Sequence, residues 1–378
     1  MSKIKVLFMI HDLGQGGAER VLVNLVNNMD SNIFDVTVLS LFDFGENRDF
    51  LSKNIRYCAW CKEMIPANSH WMKLLTPQQL HRHIVKDRYD IEIAYLEGPC
   101  ARIISGCTDP TVKKYAWIHI ELHDQKSVSR PFRSWSETLQ CYQKFDRIIC
   151  VSESVKKHFE KLVPTAEEPL ILYNTNDTKM ILKLAKEQVS DKYESEECTK
   201  LIFVGKLLKN KGADRLLSIL NQLKREGNKI HLYVLGDGPE RKNLAKYAVQ
   251  NGLESNVTFT GYQLNPYKYL ADADLFVCAS FAEGFSTAAT EALIVGTPVC
   301  TVDVAGMKEL LGKKDQYGIV VENTDSALYE GIKKLINNRE LLSYYAHQAK
   351  TRGKDFQTKN TVSQVENFLI KTVEHNEA

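Results

Sequence analysis

Apolar residues recur along this chain in short runs of strand length, separated by segments with helical spacing. In the first half the runs at 3–10, 34–41, 90–96, 112–118, 147–151 and 169–173 read as strands. In the second half the runs fall at 200–204, 229–235, 256–260, 274–279, 297–302 and 318–321. Most are rich in Val and Ile on both faces, the pattern of strands covered by helices on each side. Alternating strands and helices imply an α/β protein with parallel, doubly wound sheets, and a six-and-six division implies two of them.

The polar, proline-flanked stretch Pro164–Pro169 and the acidic stretch Tyr193–Glu197 put the boundary between about 164 and 200. The expected organisation is a Rossmann-like domain over 1–170 and a second over 171–354. A helix-period tail over 355–378 (Phe356, Val362, Val365, Phe368, Leu369) is expected to pack back on one of them, the first being favoured. Two such domains are expected to face each other across a cleft, with ligand where the carboxyl ends of both sets of strands meet.

Length and charge narrow the classes. At 378 residues the chain exceeds one ordinary core. Hydrophobic residues at 44% and charged residues at 25% exclude disordered and disulfide-scaffold classes. Lys+Arg 49 against Asp+Glu 47 argues against nucleic acid as a partner. The first apolar run is too short for a signal peptide and reads as a buried strand, and no run approaches the ~18 residues of a membrane span. A cytoplasmic location is therefore expected. Nine scattered cysteines fit reduced thiols. Cys58 and Cys61 have zinc or redox spacing, with His70 available as a third ligand, but no second pair completes a site, and ordinary thiols are expected.

Three loops carry candidate chemistry. The first strand runs into Gly14-Gln-Gly16-Gly17-Ala18-Glu19-Arg20 and then a helical pattern. Glycines before a helix N-terminus admit a ligand to backbone N–H groups, where the dipole favours negative charge. A nicotinamide-cofactor site is one reading, with Asp43 as the ribose acid, although the G-x-G-x-x-G fingerprint is incomplete; a phosphate-proximal loop and a plain tight turn are the others. The strand at 200–204 ends in Gly205-Lys206-Leu207-Leu208-Lys209-Asn210-Lys211-Gly212, whose lysines suit a diphosphate or make a solvated turn. The strand at 274–279 leads to Glu283-Gly284-Phe285-Ser286-Thr287-Ala288-Ala289-Thr290-Glu291 and an apolar helix. Here a carboxylate able to accept several sugar hydroxyls stands next to helix-start N–H groups. Asp272-Ala273-Asp274 matches a metal-binding D-x-D pattern, but it precedes a buried strand and so lies on the amino-terminal side, and no metal is expected there.

Together EGFSTAATE, GKLLKNKG, GGAER, LGDGPE (235–240), AGMKELL (305–311) and YGIVVEN (317–323) resemble the retaining glycosyltransferases of family 4 over nearly the whole chain. The resemblance implies the GT-B fold of two Rossmann-like domains. It implies that Lys206 and Lys211 hold the donor diphosphate, Lys206 standing where the family usually has arginine and so lacking the bidentate fork. It further implies that Glu283 binds donor-sugar hydroxyls and Glu291 the ribose, and that Phe285, Ser286 and Thr287 touch the phosphates through their backbone beside Gly205 and Gly284. Gly16 and Gly17 match the mobile loop of the first domain, and His119 matches the histidine near the transferred sugar, with His123 its rival.

The expected reaction moves a hexose or N-acetylhexosamine from a nucleotide-diphosphate sugar, a UDP-sugar by family weight, to a saccharide acceptor. Retention would follow from same-face attack with the leaving phosphate as base, and no cofactor beyond the donor substrate is expected. All four tryptophans (60, 71, 117, 135) lie in the first domain, and residues 113–161 hold ten basic against six acidic side chains. The segments Trp71–Leu75 and Pro131–Trp135 pair apolar bulk with cations, which suggests peripheral contact with the inner membrane face and a lipid-linked acceptor; core packing accounts for the same residues equally. The alternatives are a nucleotide-sugar epimerase on the same fold, an NAD-dependent oxidoreductase and a non-catalytic partner subunit.

Overall fold

The computed structural model describes residues 3–63, 72–189, 193 and 198–374. The chain divides into two compact units, 1–175 with 359–378, and 176–358. Most of the acidic stretch 193–197, together with His70 and Trp71, lies outside the described residues.

In the first unit seven parallel strands form one sheet. They are β1 (Ile4–Ile10), β2 (Phe34–Phe42), β3 (Arg56–Cys61), β4 (Ile91–Ala94), β5 (Lys113–Ile118), β6 (Arg147–Cys150) and β7 (Leu170–Ile171). Their order is β3-β2-β1-β4-β5-β6-β7. In the second unit β8 (Thr199–Val204), β9 (Ile230–Leu235), β10 (Val257–Gly261), β11 (Leu275–Cys278), β12 (Val299–Val302) and β13 (Ile319–Val321) run in the order β10-β9-β8-β11-β12-β13, again parallel.

Strand β3 is the element that the apolar pattern misses. It lies at the sheet edge and is only half buried, so Arg-Tyr-Cys-Ala-Trp-Cys lacks the β-branched, two-faced signature of its neighbours. Its register against β2 also settles the geometry of Cys58 and Cys61. Three residues apart on one strand, they point to opposite faces of the sheet and cannot converge on one ion.

Three central strands begin in the same way. Asp90, Asp146 and Asp274 each stand one residue before β4, β6 and β11, and their carboxylates accept the N–H groups of Lys5, Lys114 and Lys200 at 2.8, 2.8 and 2.7 Å. Each aspartate also returns its own N–H to the same lysine's carbonyl at 2.9 Å. Buried parallel strands start in register through these paired bonds. Asp274 of the D-x-D pattern belongs to this set, and Asp272 pairs with Lys200 Nζ at 2.8 Å.

The tail helix Thr358–Glu374 packs on the first unit. It buries Val362, Val365 and Leu369, stacks Phe368 against Tyr115 at 4.9 Å, and accepts the Asp30 N–H on Glu366 at 2.6 Å. Each sheet is entered at its middle, so the chain winds outward in both directions from β1/β4 and from β8/β11. Loops leaving such a pair part to opposite faces and open a crevice at the carboxyl edge.

Candidate active site

In the second unit the crevice between β8 and β11 is walled by two of the loops singled out above. Gly205 opens the lysine turn, and Leu207 anchors it, buried, with its N–H on Asp237 O at 2.9 Å. Gly236 has a φ of 132°, and a Cβ there would lie 1.9 Å from Gly205 O, so the LGDGPE turn sits directly against the lysine turn. Gly212, at φ 70°, starts the helix Ala213–Arg225, and a Cβ there would lie 2.1 Å from Ala279 O. The turn is thereby pressed onto the end of β11, where the Phe281 N–H bonds Asn210 O at 2.8 Å.

That close approach carries Lys211 Nζ to 2.7 Å from Glu283 Oε1, and Ser280 Oγ donates to the same oxygen at 2.6 Å. Glu283 is thus held by a cation and a hydroxyl, its side chain only 12% exposed. Lys206 is exposed on the same turn. Gly284, Phe285 and Ser286 are buried, and Ser286 caps the helix Thr287–Val295 by accepting the Ala289 N–H at 3.3 Å, with Thr287 its first residue. Glu291, one turn along, is buried and accepts a bond from Tyr267 Oη at 3.3 Å. The structure therefore brings Lys211 to Glu283 and aligns Gly284 to Thr287 at a helix start.

Sequence reading missed Ser280, Tyr267 and Arg215. Arg215 is buried and spans Asn323 and Asp325, both at 2.8 Å, with its guanidinium over Phe281. Nothing in spacing marks these residues; folding alone brings them to the loop ends.

In the first unit the loop after β1 is tied by Gly14 N–H to Asp12 Oδ1 at 2.8 Å and by Asn47 Nδ2 to Gly14 O at 2.5 Å. Gly16 caps the helix Gly17–Asn28 without a side chain, and the Glu19 carboxylate folds over it, filling the place of a Cβ. Asp43 is taken by Arg48 at 2.7 Å and Tyr57 at 3.1 Å, and the guanidinium bond holds its pKa low. It is committed to that pair, which weakens the dinucleotide reading.

His119 follows β5 and is 8% exposed, packed on Tyr95 at 4.7 Å and stacked with Trp117 at 6.4 Å. Burial pushes its pKa down to about 3, opposed by a bond to the Tyr95 backbone, and Nε2 has no partner among the described residues. It is a neutral imidazole with a spare ring nitrogen. Its loop is pinned by Glu97, whose Oε1 accepts the N–H of His119 and, at 2.9 Å, that of Ile120. Burial raises the Glu97 pKa while these N–H groups lower it. Glu97 follows β4, the strand beside β5, and the sequence signal for it was an acid directly after a strand end. His123 is instead exposed, near Glu121 at 3.5 Å and edge-on to His158.

Of the residues behind the membrane reading, Phe132 in the second cation-paired stretch is buried against Tyr142 at 5.9 Å, and Trp117 in β5 is also buried, so both belong to the core. Leu74 is 70% exposed, and Arg133 binds the carbonyls of Lys73 and Leu74 at 2.6 and 3.0 Å. Among the described residues no helix is long and apolar enough to cross a membrane.

Comparison with known proteins bears on the family and the fold. The chain matches the family Glycosyl transferases group 1 over residues 185–352 and Glycosyltransferase Family 4 over residues 15–179. It is 28% identical, over 93% of its length and 95% of the relative's, to the Campylobacter jejuni N-acetylgalactosamine-N,N'-diacetylbacillosaminyl-diphospho-undecaprenol 4-alpha-N-acetylgalactosaminyltransferase. It is 23% identical to a Staphylococcus aureus poly(ribitol-phosphate) alpha-N-acetylglucosaminyltransferase, over 71% of this chain and 52% of that one. The crystal structure of Anabaena HepE in complex with UDP superposes with a TM-score of 0.76 at 19% identity, covering 97% of this chain and 100% of that one.

The buried histidines make stability fall in acid. His119, pushed down to about 3, and His231, pushed down to about 4 by burial, stay neutral when folded, whereas the unfolded chain takes up a proton on each near 6.5. Each then costs stability as pH drops below about 6.5, at about 1.4 kcal/mol per pH unit, until its folded pKa is reached. Denaturant unfolding at pH 7.5 and 5.0 should show this slope, and His119→Asn should remove one proton's share of it. An unchanged slope in that variant would show that His119 titrates normally.

Proposed function

The chain belongs to glycosyltransferase family 4, with a GT-B fold and a place in bacterial glycan biosynthesis, and from that premise we propose a metal-independent, retaining transferase that uses a UDP-sugar. The sugar is a hexose or N-acetylhexosamine, and the acceptor a lipid-linked saccharide. The observation that carries this reading is Lys211 and Ser280 converging on Glu283 beside the start of the helix Thr287–Val295.

Breaking the sugar–phosphate bond builds negative charge on the leaving diphosphate. Lys211, exposed Lys206 and the N–H groups at 284–287 are placed to stabilise it. When a diphosphate takes Lys211, the Glu283 carboxylate is released from its cation and can accept sugar hydroxyls. Glu291, fixed by Tyr267, is the acceptor for the ribose hydroxyls. Neutral His119 offers Nε2 as an acceptor for a sugar hydroxyl without adding charge. The attacking hydroxyl's proton passes to the leaving phosphate on the same face. HepE has been crystallised with UDP and glucose, and the Campylobacter relative's name specifies a diphospho-undecaprenol-linked acceptor, which supports the donor and acceptor classes chosen.

A thermal-shift screen against UDP, GDP, ADP, UDP-sugars and NAD without added metal is the direct test. UDP or a UDP-sugar at high excess should raise Tm by several degrees, and Glu291→Ala should abolish the shift. With the matching donor, Lys211→Ala should lower kcat/KM by about 10²–10³-fold. An NAD shift with silence from every nucleotide would overturn the reading.

Glu97→Ala should lower turnover by roughly tenfold, the cost of a lost hydrogen bond to the His119 loop. The UDP shift should survive, because nucleotide binding is assigned to the second unit. Glu97→Gln keeps an acceptor oxygen and should retain most activity; equal loss in both variants would refute a positioning role.

Peripheral contact with the inner face of the membrane completes the proposal, on the basis of exposed Leu74 beside Arg133. Sedimentation with anionic vesicles at low salt should carry the protein down, and retention in the supernatant would count against it.

A further inference from the structure

Strand β4 reads Ile-Glu-Ile-Ala, and all four residues are buried. A carboxylate in the middle of a central parallel strand is costly unless it is paired. Glu92, 2% exposed, has such a partner in His81 Nε2, 2.7 Å from its Oε2. His81 stands in the last turn of the helix Pro77–Ile84, which covers this face of the sheet.

A third group arrives from another element. Cys107 is a free, half-buried thiol just after the helix Pro99–Ile104. Gly106 makes the approach possible, since a Cβ there would lie 2.0 Å from Pro77 O, so the backbone presses on the start of the His81 helix. One imidazole nitrogen, one carboxylate oxygen and one sulfur thus lie within 4.8 Å of one another. Glu92 pairs in register with Leu7 and Lys114 and stands two residues before the end of β4, within the sheet and not in the loops at its carboxyl edge.

We propose that His81, Glu92 and Cys107 hold one divalent transition-metal ion of the zinc class, with water as fourth ligand, as a structural clasp on the first unit. A mixed nitrogen, oxygen and sulfur set suits a borderline-soft ion and disfavours magnesium or calcium. The cluster already favours positive charge. Burial opposes a proton on His81, yet bonds to Cys107 and Glu92 outweigh it and lift the pKa to about 9. Metal ligands bind in their deprotonated forms, so affinity rises with pH.

Titrating the full-length, chelator-treated protein with Co2+ tests the proposal. One equivalent should produce an intense near-ultraviolet sulfur-to-cobalt charge-transfer band, which Zn2+ should abolish. Cys107→Ser, a near-isosteric change at a half-buried position, should lose the band with the other eight cysteines in place. Zn2+ should also raise Tm in the parent protein and not in this variant, and Glu92→Gln should weaken binding at least tenfold. Glu121, His123 and His158 form a second grouping without sulfur, so cobalt bound there gives no such band. Absence of the band in the parent protein, or its survival in Cys107→Ser, would overturn the proposal.

Discussion

A parallel sheet entered at its centre has one place on its carboxyl edge where adjacent loops leave in opposite directions, and the second unit depends on what happens there. Gly212 lets the backbone of the lysine turn touch the Ala279 carbonyl at the end of β11. Any side chain would force these segments apart, and the αL conformation at φ 70° already disfavours one. The contact fixes where Lys211 can reach, and so brings it to Glu283. Gly236 repeats the device one layer out against Gly205, so backbone contacts set the position of the charged side chains.

The two units handle charge in opposite ways. The second concentrates it, with exposed Lys206 on the same turn as Lys211, which meets Glu283 just ahead of a helix start. At the His119 loop the first suppresses it. His119 is kept neutral by burial, and the Glu97 carboxylate is covered by backbone N–H groups. Fixed cations stabilise negative charge, whereas a neutral ring with a spare lone pair accepts a hydrogen bond without adding charge.

Much of this is legible in the sequence. Twelve of the strands announce themselves by apolar runs, most of them rich in Val and Ile, because burial on both faces favours apolar side chains. β3 does not, because an edge strand has one solvated margin and tolerates Arg56 and Trp60. The glycine turns, the lysines and the paired acids are contiguous motifs and could be read directly. Ser280, Tyr267, Arg215 and Glu97 act through partners between 3 and 110 residues away, and no local spacing encodes such meetings. For Phe132 two readings were open, and burial selects the core one. Pro-Phe-Arg-Ser-Trp looks amphipathic in one dimension, yet Phe132 turns inward against Tyr142 because Ser134 begins a helix immediately after it.

The tail helix leaves the second unit at Thr358 and is counted with the first from Lys359 onward. Thr358 Oγ1 bonds Thr178 and Asn176, so the outgoing and returning segments of the second unit lie side by side. During synthesis the ribosome therefore delivers every residue of the second unit before the helix that covers Tyr115 and Asp30 of the first. The unit that begins first is completed last. For the time needed to translate about 180 further residues, at about 5–20 residues per second, its nascent sheet keeps an uncovered apolar face, a natural substrate for chaperones on the emerging chain.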